Sequence, residues 1–203
     1  MSSQLAWYIA RSSGIVGWAL LSLSVIWGLA ISTKTRPGGV RPNWLLDLHR
    51  ALGGLATIFT GVHVVAMMAD SYVEFGPAEV LVPLASAWKP TAVAWGVVAM
   101  YLLAAVQLTS MLRSRLPRRV WRAVHAASFP LFVSATVHGV QAGTDVSNRV
   151  FVATVWAVAA LVGGLTVLRV VQAIERREVA DGRGRAHRPA RRARPVLTAT
   201  EPR

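Results

Sequence analysis

The chain has no cysteine among its 203 residues, which excludes disulfides, thiolate metal sites and cysteine nucleophiles. It is also poor in charge. Asp, Glu, Lys and Arg make up 15% of it, against about a quarter of an average soluble chain. What charge there is lies in clusters, leaving five runs without one of these residues: 12–33, 51–69, 90–112, 123–144 and 150–168. Each run has 19 to 23 residues, and about 20 apolar residues rising 1.5 Å apiece cross a hydrocarbon core of roughly 30 Å. A soluble globule would have almost nothing polar left to cover five such helices.

What is present agrees with those absences. Hydrophobic residues make up 54% of the chain and the mean hydropathy is +0.45. The runs lack the alternating polar and apolar pattern of barrel strands, and only helices or closed barrels satisfy the backbone in lipid. The expected fold is therefore an all-α integral membrane protein, a five-helix transmembrane bundle occupying residues 1–173. Its spans are expected at about 7–31, 45–68, 90–112, 118–140 and 148–173. The connection at 69–89 contains "AEVLVPLASAW", too short to span and interrupted by proline, which predicts an interfacial or re-entrant segment. Residues 174–203 form a basic tail, and from Ala180 it reads "ADGRGRAHRPARRARPVLTATEPR", a composition that predicts disorder.

The formal net charge is +13, and its distribution matters more than its total. Residues 34–50 carry Lys34, Arg36, Arg41 and Arg50 against Asp47, whereas 70–89 carry Asp70, Glu74 and Glu79 against Lys89. Residues 113–122 hold Arg113, Arg115, Arg118, Arg119 and Arg122 with no acid, and the tail from Arg169 is again arginine-rich. The positive-inside rule then puts the N-terminus outside and the C-terminus in the cytoplasm of a cell inner or plasma membrane, in accord with five spans. Only Arg11 precedes the first run, so that segment is expected to be a retained helix and not a cleaved leader. Every basic cluster abuts a span, which favours anionic lipid over nucleic acid as its partner.

Four of the five histidines fall on two spans: His49 and His63 on the second, His125 and His138 on the fourth. These spans cross in the same direction, so His49 lies level with His125, and His63 with His138, about 20 Å further along by helical rise. Facing neutral imidazoles on two helices are what an axially ligated haem iron needs, and two such layers make an electron path across a membrane. At about 100° per residue, His63 returns to within roughly 40° of the face of His49, whereas His138 ends well over 100° from His125 on a straight helix. A kink at Pro130 is the expected remedy. Gly53, Gly54 and Gly61 leave flat patches along the second span, suited to close helix packing or to a planar cofactor.

"LHRALGGLATIFTGVH" and "WRAVHAASFPLFVSATVH" resemble the two haem-ligating helices of the ferric reductase-like transmembrane domain. That family includes ferric reductases, NADPH oxidases and the haem-binding membrane subunit of the periplasmic methionine sulfoxide reductase system. "ARSSGIVGWALLSL" resembles its opening helix. The resemblance implies an oxidoreductase component for electron transport. It makes His49 and His125 ligands of an inner haem b, and His63 and His138 ligands of an outer one. The residues after the fifth span contain no Gly-rich nucleotide loop, so electrons are expected from a separate flavoprotein or from quinol, with an acceptor at the outer face.

Arg11, Arg50 and Arg122 stand near these sites as candidates to pair with haem propionates, since guanidinium forks suit carboxylates. Met67 and Met68 are expected to pack, and His187 to be solvated. Two other functions stay open on the residues alone. One is a proton or metal-ion transporter using the histidines as a relay, disfavoured because none of the five runs contains Asp or Glu. The other is a structural subunit whose histidines pack without a cofactor.

Overall fold

In lipid there is no hydrophobic force to press helices together, so a membrane bundle depends on small residues that let backbones approach. The first long helix carries them on one face. In the computed structural model, which describes residues 3–33, 42–70 and 75–186, helix α1 spans Ser3–Thr33, and Ala6, Ala10, Ser13 and Gly17 are buried along it. Their spacing of three and four keeps them on one side. At Gly17 the two helices are in close contact: a Cβ there would lie 3.6 Å from Phe59 and the Thr60 backbone of α2, which spans Pro42–Ala69.

After α2 comes a single helical turn, α3 at Pro77–Leu81, with turns beyond it in the connection expected to lie at the interface. Helix α4 (Pro90–Met111) starts with proline at its first position, where the missing N–H is no loss. The fourth span is divided into α5 (Arg118–Ala126) and α6 (Ser128–Ala142), and α7 runs Arg149–Ala186. Asn148 caps α7, its side-chain oxygen accepting from the N–H groups of Val150 and Phe151 at 2.9 and 3.4 Å. Among the described residues every regular element is helical, a short 3-10 turn at Asp145–Ser147 included, and five spans are long and apolar enough to cross a membrane. The last helix continues to Ala186, well past its expected end near 173; the remainder of the tail, His187 included, lies outside the described residues.

The division of the fourth span follows from Pro130. Proline has no N–H for the carbonyl of Ala126, and its ring crowds that carbonyl. The chain responds with a tighter turn, Ala127 N–H bonding Val124 at 2.9 Å, before regular bonding resumes from Leu131 to Ala127. Helix α1 is the hub. It packs along α2 and also meets α6 and α7, while α4 packs on α5 and α6. Leu21, Val25, Leu29, Ala56, Ala99, Leu103, Leu131, Phe132 and Val162 form the central apolar core. Hydroxyls within the spans bond back to carbonyls of their own helices, as at Ser22, Thr57, Thr60 and Thr166, which removes their cost in lipid.

The alternation of spans places residues 112–117 and the α3 connection on opposite faces of the membrane. The chain has no cysteine, so single-cysteine variants report without background. Ser114→Cys and Ala87→Cys, both at exposed positions, are expected to react with an impermeant maleimide from opposite sides; labelling from one side would contradict the bundle.

Candidate cofactor site

Four of the histidines come together as two pairs. The rings of His49 and His125 have centres 5.9 Å apart at 75°, and those of His63 and His138 lie 6.2 Å apart at 77°. One member of each pair stands on α2 and the other on α5 or α6. The break at Ala127 lets the second set meet the first, although thirteen residues on a straight helix would leave His125 and His138 facing apart.

Each ring is held through Nδ1. His63 donates from Nδ1 to the carbonyl of Ala10 at 2.7 Å, His138 to Ala92 at 2.8 Å and His49 to Ser24 at 3.0 Å. A carbonyl only accepts, so the proton of each neutral imidazole is on Nδ1 and the lone pair on Nε2. His125 has a hydroxyl instead, Ser110 Oγ at 3.5 Å, and its ring stacks on Trp121 with centres 5.0 Å apart. Arg113 lies over the other ring of that stack, 4.8 Å from the centre of Trp121.

A cavity of about 510 Å³ opens beside the His63–His138 pair, lined among others by Gly14, Trp18, Thr60, Met67 and Thr136. That volume is within the range of about 300–1,000 Å³ usual for cofactor and small-molecule pockets. Trp18 ties α1 to α6 across it, its indole N–H donating to Thr136 Oγ1 at 3.0 Å. Met67 also packs against the small cluster of Phe75, Val93 and Val97, and Met68 is exposed.

Arg11 lines the same cavity, but its guanidinium is engaged by Asp145. Nε donates to Oδ2 at 3.0 Å, and a second nitrogen donates to Oδ1. Its face also covers Trp7 at 5.0 Å. Arg50 and Arg122 make their hydrogen bonds to groups other than the paired histidines. Arg50 turns to Asp47 at 3.3 Å, and Arg122 Nε reaches the carbonyl of Arg118 at 3.4 Å; both are exposed. The arginines that lie over aromatic rings of the fourth span are Arg113, over Trp121, and Arg169, 5.8 Å from the centre of Phe129, neither of which its place in the sequence singles out.

The Ferric reductase like transmembrane component family matches residues 13–136, well over half of the chain. The chain belongs to that family. Its match takes in His49, His63 and His125 and ends just short of His138. No curated protein and no solved structure matches the chain significantly. For a ferric reductase-like component the donor set is apt. Among the described residues no three His, Asp or Glu side chains converge as a metal-ion site, and each pair offers two imidazoles. An imidazole–metal–imidazole stack with bonds of about 2 Å separates ring centres by roughly 6 Å, close to both observed separations. Beside His125 the buried indole N–H of Trp121 has no hydrogen-bond partner among the described residues, a donor suited to an acidic cofactor substituent.

The Arg11–Asp145 pair joins α1 to the turn that precedes α7. With Arg11 partly exposed, at 37% of its side chain, replacing Asp145 by Asn should cost about 1 kcal/mol. In detergent the thermal midpoint is expected to fall by a few degrees; an unchanged midpoint would show the pair to be dispensable.

Proposed function

We propose that this protein is a di-haem transmembrane electron carrier. The reading rests on one observation: two histidine pairs, each with ring centres about 6 Å apart, stacked along the same bundle. His49 and His125 would hold one haem b, and His63 and His138 the other, with neutral Nε2 lone pairs as ligands. Haem b bound at both pairs would supply one-electron redox chemistry at two depths of the membrane.

The chain's own residues do the rest. The Nδ1–H bonds to Ala10, Ser24 and Ala92 orient the rings and make the ligand nitrogens more basic. Two imidazoles at each site would hold the group by two protein ligands, a donor set suited to electron transfer rather than to gas binding. The apolar core around Leu21, Ala56, Ala99 and Leu131 keeps water from the space between the layers. Trp121, with Arg113 over its ring, offers a polar anchor at the His49–His125 end, whereas at the other end Arg11 is paired with Asp145.

By the positive-inside rule, the end carrying Arg113, Arg115, Arg118, Arg119 and Arg122 faces the cytoplasm and the N-terminus faces out. The donor on the cytoplasmic side is then a flavin or a quinol, which gives up its two electrons one at a time and releases its protons on that side. The acceptor is reduced at the outer face, beside the His63–His138 pair.

Reduced-minus-oxidised visible spectra of the protein, purified from a haem-supplied host, test this directly. The wild type is expected to show b-type bands from two haems per chain. His63→Ala and His138→Ala should each remove the same half of the signal, and His49→Ala and His125→Ala the other half. A wild type without haem bands, or losses that pair the histidines differently, would falsify the proposal.

A further inference from the structure

Three histidines share an environment that the ligand reading does not require. His63, His49 and His138 each hydrogen-bond a carbonyl on a neighbouring helix, belonging to Ala10, Ser24 and Ala92. In each case the residue four positions later is glycine: Gly14, Gly28 and Gly96. In each case the imidazole lies where the missing Cβ would be. A Cβ would stand 3.0 Å from His63 Nδ1 at Gly14, 3.2 Å from His49 Cε1 at Gly28, and 2.7 Å from His138 Nδ1 at Gly96.

Helix geometry explains the recurrence. The carbonyl of residue i−4 already accepts the N–H of residue i and keeps one lone pair free. The Cα–Cβ bond of residue i tilts toward the helix N-terminus, so any side chain there overhangs that carbonyl. Glycine uncovers it. Not every helical glycine sits this way: a Cβ at Gly54, Gly61, Gly163 or Gly164 would meet nothing within 4 Å.

We infer that Gly14, Gly28 and Gly96 are positioning residues, notches that admit an imidazole to a backbone carbonyl and so fix its Nδ1–H tautomer with Nε2 as the ligand nitrogen. The inference rests on the haem reading for its purpose but not for its geometry. Antiparallel packing makes the arrangement regular. Gly14 and Gly28 are fourteen residues apart on α1, as His49 and His63 are on α2, so the two notches of α1 serve the two rings of α2, one from each facing pair. His125 has no such notch, and its Ser110 contact is the longest of the four. The three notched rings are therefore held in one tautomer, and His125 is the least constrained.

Nitrogen-15 NMR of histidine-labelled full-length protein in bilayers reads the tautomers without a cofactor. In the haem-free wild type, His49, His63 and His138 are expected as neutral Nδ1–H forms. Gly96→Ala should abolish that signature for His138 while leaving those of His49 and His63. Gly28→Ala should do the same for His49 alone, and Gly54→Ala, in open space, should change nothing. Haem-loaded samples add a second reading: Gly96→Ala should lose or alter the haem of the His63–His138 pair and keep the other. Retention of the wild-type tautomers in both notch variants, or an equal change in Gly54→Ala, overturns the inference. A wild type that takes up no haem would sink the proposed function, while the tautomer measurement still decides the notches.

Discussion

A histidine that crosses to a neighbouring helix and donates Nδ1–H to its backbone organises this bundle. In hydrocarbon a polar ring without a partner is expensive, and here the partners are carbonyls already committed to helices α1 and α4. The bond therefore does two things at once: it removes the cost of burying the imidazole and it locks α2 and α6 to their neighbours at defined depths. Close approach of the helices is a condition for it. Small residues on α1, with Gly17 against Phe59 and Thr60 of α2, provide that approach.

From this constraint follows a division of labour among the spans. Helices α2, α5 and α6 carry the imidazoles that face one another, while α1 and α4 supply the surfaces against which the rings rest. Between the two histidine layers lies the apolar core of Leu21, Ala56, Leu103 and Leu131. Polar groups gather at the ends, with Arg11 and Asp145 at one and the Arg113–Trp121–His125 stack at the other. The two ends thus differ in chemistry. One has a closed ion pair beside a cavity, and the other has arginine-rich surface beside a less constrained histidine.

Much of this was readable from the residues. Five charge-free runs mark five helices, because charge in hydrocarbon costs more than any local propensity can offset. The histidine pairing followed from the direction of the second and fourth spans, and Pro130 pointed to the kink that brings His138 into phase. Other features depended on tertiary neighbours. Arg11 stands alone in sequence, and its bond to Asp145 joins residues 134 positions apart. Arg50 and Arg122 lie close to His49 and His125 in sequence, but their hydrogen bonds go to Asp47 and to the carbonyl of Arg118. Among the glycines, Gly53, Gly54 and Gly61 stand between the histidines in sequence, whereas the ones that touch imidazoles are on α1 and α4. The equal spacing of Gly14–Gly28 and His49–His63 was the available signal, and only antiparallel contact gives it meaning.

The most direct test is the electron paramagnetic resonance spectrum of the oxidised, haem-loaded protein. The paired rings stand at 75° and 77° to one another, so two imidazoles on one iron would be close to perpendicular. Two low-spin ferric signals of the highly anisotropic type are expected, each lost when either histidine of its pair is replaced. A high-spin spectrum, or a low-spin signal that survives loss of a paired histidine, would contradict axial ligation by these four residues.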